Sequence, residues 1–260
     1  MKKKIRSVLI LLLAVIFLGS LTMLLGDLGE YREGQEIYAM AEQAAQPVPD
    51  REEGEPLSRP EEPSEPPEAP EDPLQDISVA ALREKSSDVA GWIRIPDTAL
   101  SYPLMQGEDN DYYLTHAWNG WETIAGSIFM DHQCAPDLTD FNTIIYGHRM
   151  KDSSMFSTLK GYNKLEFWQE HPIVYIKDRE ETVHRYEIFA AYEAPVRSYT
   201  YEKKASDDAV KQAVIDFALD NSVIDTAVVP EVTQRILTLS TCTGKGYDSR
   251  WVVQAVERPL

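Results

Sequence analysis

The feature that most constrains this 260-residue chain is a series of eight short runs rich in β-branched and aromatic residues, separated by turn-forming residues. They are Trp92–Ile95, Leu100–Leu104, Gly126–Met130, Thr143–His148, Ile173–Ile176, His184–Tyr192, Arg235–Cys242 and Arg250–Val256. Runs punctuated in this way predict strands. Eight of them without regularly alternating helices predict a mainly β fold, a barrel or sandwich rather than a parallel βα sheet. Helical insertions are predicted over Ile77–Glu84, Ser154–Leu159 and Lys164–Glu170, with a longer helix after Ser206. There Ser206 reads as the N-cap, with Asp207 and Asp208 in the first turn. Val210, Val214, Phe217 and Ala218 then repeat at helical spacing and form one apolar face.

Ahead of the strands the composition changes twice. Lys2, Lys3, Lys4 and Arg6 precede an apolar run, Val8–Leu25, interrupted only by Gly19, Ser20 and Thr22. Its length suits a bilayer, and it exceeds the usual core of a signal peptide. The one small-x-small sequence, Ala39-Met40-Ala41, lies too far downstream to be its cleavage site. We therefore expect a cytoplasmic tail over 1–7, a transmembrane helix over 8–26 embedded in the lipid bilayer, and the bulk of the chain outside. A cleaved secretory signal is the alternative, and it too exports the protein. A helix-compatible stretch continues to Ala45, and residues 47–73 then read PVPDREEGEPLSRPEEPSEPPEAPEDP. Proline and repelling carboxylates oppose packing, so 27–73 is expected to end in a disordered Pro/Glu-rich linker, a stalk for a folded domain spanning 74–260.

The net charge is −18, and the four N-terminal basic residues leave 21 of the 25 lysines and arginines to set against 43 acidic residues in the rest. Such a surface repels phosphate backbones, so no nucleic-acid partner is expected. Cys134 and Cys242 are too few for a disulfide framework and have no metal-type spacing with the histidines, so they mark no metal site. A single disulfide between them stays open, and an unpaired thiol on an exported domain calls for a reason.

Cys242 closes the run TLSTC, and Arg250 opens the next strand after a glycine-bearing turn. Two strands so joined bring a thiol and a fixed positive charge to one rim of a sheet. A cysteine nucleophile needs a lowered pKa or a partner base. Of the five histidines, His148 stands out because it ends the apolar strand NTIIYGH, where Gly147 relaxes the backbone before the side chain enters a site. His116, His132, His171 and His184 read as surface or structural. Only a fold can join His148 to Cys242, and on these residues alone a buried structural cysteine is nearly as good a reading.

TLSTC with an arginine eight positions on, NTIIYGHRM, DVAGWIRIPDTALSYPLMQ, GSIFMDH and DSSMFSTLKGY together resemble the sortase family, and within it class B. The resemblance covers the chain from about Leu74 to its end. It implies an eight-stranded β-barrel with peripheral helices. It further implies Cys242 as nucleophile, His148 as general acid and base, and Arg250 as the oxyanion and substrate-orienting group. Ser240 and Thr241 would line the substrate groove, with Tyr199 in a substrate-binding loop. Asn142, Tyr146 and Asp131 read as scaffold, Asp248 as a turn residue and Cys134 as a bystander. The implied function is a membrane-anchored cysteine transpeptidase that needs no metal or organic cofactor. It cleaves the sorting signal of a secreted surface protein through a thioester on Cys242 and passes the acyl group to an amine of a peptidoglycan precursor or of a pilin. The long Pro/Glu segment departs from the class B pattern, while the missing Asp-Pro-aromatic segment weighs against pilin polymerisation. Two alternatives accompany this reading: a cysteine endopeptidase that resolves the thioester with water, and an exported binding module with a structural cysteine.

Overall fold

The computed structural model describes residues 2–47, 72–244 and 246–260, with the backbone alone for 2–11, 14, 23, 24 and 27. The strands are β1 Val89–Arg94, β2 Ser101–Met105, β3 Ile128–Met130, β4 Asn142–Tyr146, β5 Ile173–Asp178, β6 Val183–Pro195, β7 Ile236–Cys242 and β8 Ser249–Arg258. They close into a barrel in the order β1-β2-β3-β4-β7-β8-β6-β5. All eight expected strands form, and of the two architectures left open by the strand pattern the barrel is the one adopted. Closure removes the exposed edges that an open sheet would leave unpaired. β1 begins three residues earlier than expected, because Val89 to Gly91 are buried and pair with β2 through a bulge. Most neighbours are antiparallel, but β2 and β3, and β4 and β7, run parallel.

Buried side chains such as Trp92, Phe129, Ile144, Ile176, Leu237, Leu239 and Val253, from both faces of the sheet, form the main apolar cluster. A second apolar layer forms where helix α4, Asp208–Asn221, covers β6 and β8: Val214, Ile215 and Ala218 pack on Phe189, Tyr192, Val252 and Val256. Its cap is one residue later than expected. Asp207 holds the extended backbone and accepts from the Ala209 amide at 2.7 Å, so Ser206 lies outside the helix. The short helices α2, Val79–Arg83, and α3, Leu165–Glu170, fall where expected. The segment predicted from Ser154 begins instead at Phe156 and runs to Asn163 as a 3₁₀ helix, because Met155 sits at φ 55° and breaks the helical path.

Helix α1 runs over Lys2–Ala44. Leu12, Leu13, Val15, Ile16, Phe17, Leu18, Leu21, Leu25 and Leu28 are exposed around it. Further on, Ile37, Tyr38, Ala41 and Ala45 share a face that is buried on the barrel. Among the described residues, no helix is long and apolar enough to cross a membrane. The expected span over 8–26 begins where side chains lie outside the described set. Most of the Pro/Glu segment, residues 48–71, also lies outside it. The described residues on either side meet, since the Ser78 amide donates to the Ala45 carbonyl at 2.6 Å.

At the barrel end away from Cys242, His184 bridges two carboxylates, Asp178 Oδ2 at 3.0 Å and Glu257 Oε1 at 3.1 Å, and Arg235 pairs with Glu257 at 2.6 Å. Glu257 holds the imidazole above its ordinary pKa, against its burial and with Asp178 assisting. The Glu257 carboxyl falls to about 2, because hydrogen bonds from His184 and Arg235 outweigh its burial. A raised histidine contributes stability in full below its unfolded pKa and loses it as pH climbs through the folded value. The carboxylate contribution is present above the unfolded glutamate pKa and lost as pH falls toward 2. Replacing His184 with Asn should therefore destabilise most near pH 5 to 6, by on the order of 1 kcal/mol or about 2–4 °C. The deficit should shrink as pH rises, as thermal melts of both proteins across the pH range would reveal.

Candidate active site

The site is a product of strand register. β4 and β7 run parallel with a constant offset, from Asn142 opposite Ile236 to Tyr146 opposite Ser240. Continued two residues beyond Tyr146 and Ser240, that offset sets His148 beside Cys242. β8 returns antiparallel to β7, and there Cys242 lies directly opposite Arg250. One rim of the barrel thus collects all three residues, although 94 positions separate the histidine from the cysteine. Directly paired residues share a face of the sheet, so Cys242 and Arg250 stand on the side that also carries Ser240 and Val252.

Two hydrogen bonds fix the junction of β4 and β7 below the rim. The Thr241 hydroxyl donates to the Gly147 carbonyl at 2.7 Å, and the Gly147 amide donates to the Ser240 carbonyl at 3.3 Å. Gly147 serves close packing rather than backbone freedom. Its φ is ordinary, and an added Cβ would lie 2.9 Å from the Phe156 ring. Phe156 in turn donates its amide to the His148 carbonyl at 2.9 Å.

His148 hydrogen-bonds Cys242 and also places Nε2 2.8 Å from the Leu114 carbonyl. A carbonyl only accepts, so Nε2 carries a proton and Nδ1 is the nitrogen free to change protonation. The bond to Cys242 raises the His148 pKa against the effect of burial, and the Leu114 carbonyl adds to the rise. The Cys242 thiol moves the other way. His148 lowers it most, burial opposes, and Arg250 contributes in the same sense as His148. These opposite shifts converge and increase the share of thiolate and imidazolium in the pair. Cys242 is exposed, while Cys134 is buried beside β4 with its thiol pushed up to about 11 by that burial. Both are free thiols. The cysteine at the rim is therefore the one in a nucleophile's environment.

Arg250 Nη1 donates to the carbonyls of Tyr247 and Ser249 at 2.9 and 3.0 Å. Arg149 is a residue that sequence reasoning missed. Its guanidinium lies against Gly244, two residues past the cysteine, and its charge also favours the thiolate. Its place directly after His148 was the available signal. Among the described residues neither arginine forms an ion pair.

Ser240 and Thr241 are buried, with the Ser240 hydroxyl 3.0 Å from the Tyr201 hydroxyl. Tyr199, in contrast, is 55% exposed on the 3₁₀ turn Tyr199–Tyr201 and borders an open groove with Pro195, Arg197, Glu202 and Phe217. Asn142 anchors that turn and the residue after it, donating to the carbonyls of Thr200 and Glu202 at 2.9 Å. Asp131 is buried and accepts from Tyr146, Asn110 and Lys203. Asp248 lies in the turn, where its carbonyl accepts from Val196. The other histidines have structural partners: His116 stacks on Tyr112, His132 lies beside Asp131, His171 meets the Pro96 carbonyl, and His184 joins the carboxylate cluster.

Comparison with known proteins agrees with this geometry. Residues 93–258 match the family model of the sortase domain. The chain is 38% identical over 175 residues to sortase B of Listeria monocytogenes, covering 66% of this chain and 71% of that protein. It is 33% identical over 162 residues to sortase B of Staphylococcus aureus, covering 62% and 66%. Among solved structures, sortase B of Bacillus anthracis in complex with AAEK1 matches at a TM-score of 0.70 and 29% identity over 90% of this chain and all of that one. The S. aureus sortase B–substrate complex matches at a TM-score of 0.65 and 31% identity over 69% and 84%. A sortase B structure complexed with triglycine gives the same score and identity over 69% and 85%. By fold, by the composition of its barrel rim and by sequence, the chain belongs to the sortase family of cysteine transpeptidases, in its class B branch.

Proposed function

We propose that Cys242 is the nucleophile of this transpeptidase, His148 its general acid and base, and Arg250 its oxyanion donor. The observation that carries this assignment is the register that brings the three to one rim. The Cys242 thiolate attacks a backbone carbonyl of a sorting peptide. Negative charge then develops on the carbonyl oxygen, and the Arg250 guanidinium, charged at any physiological pH, donates to it. Collapse breaks the C–N bond, and the His148 imidazolium gives its proton to the departing amine. A thioester on Cys242 remains. An incoming amine attacks that thioester, His148 takes its proton, and the thiolate leaves as the new amide forms.

The donor in this reading is the sorting signal of a secreted surface protein, and the acceptor is an amine of a peptidoglycan precursor or of a pilin. The sortase B structures with substrate and with triglycine support a peptide donor and a glycyl amine acceptor. On the donor side, Tyr199 offers an exposed ring beside the open groove, Ser240 shares the face of the sheet that carries the thiol, and Thr241 supports the rim through the Gly147 carbonyl. We also propose that α1 anchors the protein as a single-pass helix over 8–26, with residues 1–7 in the cytoplasm and the barrel outside. The basic residues before the apolar run and the uncovered apolar side chains between Leu12 and Leu28 support this topology.

Three outcomes are expected. Arg250→Lys should reduce kcat for coupling a sorting peptide to triglycine by about 10²–10³, since a point charge cannot supply the forked donor geometry. Cys242→Ala sets the zero of that assay, and a near-normal rate in Arg250→Lys would remove Arg250 from the mechanism. In His148→Ala, the midpoint for alkylation of Cys242 by iodoacetamide should move to higher pH, because the bond that lowers the thiol pKa is gone. An unchanged midpoint contradicts the pairing. Finally, the full chain should stay with membranes through an alkaline carbonate wash, and a chain lacking 1–26 should be released.

A further inference from the structure

The distal half of α1 makes no hydrogen bond to Cys242 or His148, yet it is fastened to both segments that hold the histidine. The Tyr38 hydroxyl donates to the Gly126 carbonyl. Gly126 sits at φ 53°, and an added Cβ there would lie 2.6 Å from the carbonyl oxygens of Tyr113 and Leu114. Only glycine can therefore press against that turn, which the Ser127 amide also grips through the Tyr113 carbonyl at 2.8 Å. The Leu114 carbonyl is the acceptor for His148 Nε2.

The second route runs through Tyr102. The Tyr38 ring packs edge to face on it, with centroids 5.1 Å apart at 84°. The Tyr102 hydroxyl accepts from the Met155 amide at 3.1 Å. Met155, at φ 55°, bridges across to Arg149, next to the histidine. Trp118 closes the loop from the other side, its Nε1 donating to the Ile37 carbonyl at 3.1 Å.

We infer that Tyr38 is a positioning residue for His148: through Gly126 and Tyr102 it holds the Leu114 carbonyl and the 149–155 turn in the places that orient the imidazole. This rests on the reading of His148 as the acid and base of the reaction. It makes α1 a part of the catalytic architecture, not merely an anchor. Without the Tyr38 hydroxyl the Leu114 carbonyl drifts, the proton on Nε2 loses its fixed acceptor, and the imidazole no longer meets the thiol in one orientation.

The test uses the full chain in detergent, with Tyr38→Phe, which keeps the ring on Tyr102. Coupling of a sorting peptide to triglycine should lose about tenfold in kcat with KM for the peptide unchanged, as expected for a misplaced catalytic group. The iodoacetamide profile of Cys242 should shift to higher pH, a change that a general loss of stability does not produce. Trp118→Phe, which loosens the same loop without touching Tyr38, should shift both readings in the same direction by a smaller factor. Wild-type kcat and an unmoved alkylation profile in a folded Tyr38→Phe protein would overturn the inference. So would a fall in rate that tracks only the folded fraction in thermal melts. His148→Ala separates the two levels: if it moves the alkylation profile while Tyr38→Phe does not, the positioning role alone fails. If it moves nothing, the assignment of His148 fails as well.

Discussion

Everything at the rim depends on the parallel pairing of β4 with β7. In a barrel made mostly of antiparallel neighbours, this pair sends two distant segments of chain the same way, so both end at the same rim. A slip of one residue would turn the side chain of His148 away from that of Cys242, because successive side chains alternate faces. The register is secured by fully buried side chains on both faces of the sheet, Leu237, Leu239 and Ile145 on one and Ile144 on the other. It is secured at the edge by the Thr241 bond to Gly147, which ties the residue before the cysteine to the residue before the histidine. Burial of the barrel interior and alignment of the reacting groups are in this sense one requirement.

The second organising element is charge. The chain carries a net −18, yet the rim around the thiol presents Arg149 and Arg250 without an ion-pair partner among the described residues. Both favour the thiolate, and both act over short distances where solvent does not screen them fully. Acidic residues elsewhere are neutralised locally, as in the Arg235–Glu257–His184–Asp178 cluster and the Asp131–Lys203 pair. The protein thus combines an acidic surface with a small electropositive spot where negative charge is to be generated.

The strands were legible in the sequence because β-branched and aromatic runs bounded by turn residues are local signals, and α4 was legible from its apolar face. The cap at Asp207 was missed by one residue because Ser206 and Asp207 carry equivalent capping groups, and only the backbone decides which is used. His148, Cys242 and Arg250 could be chosen from residue type and position at strand ends. Their convergence could not, since parallel register between segments 94 residues apart leaves no local trace. Arg149 and Tyr38 were missed for the same reason. Each contacts a distant glycine, Gly244 and Gly126 respectively, and apart from the place of Arg149 directly after His148 nothing in the flanking sequence points to either contact.

The meeting of Ala45 with Ser78 bears on how the active rim is held. The bond joins α1 directly to the N-cap of α2 at one place on the barrel, so the placing of α1 on the domain rests on that contact and its buried face. With the anchor proposed for 8–26, the height of the thiol above the lipid is set by the rigid rise of α1, and the stretch from Leu28 to Ile37 spans only about 14 Å. The active rim is then held at a near-fixed altitude, like a tool on a short rigid arm, and substrates must come to that level to be joined.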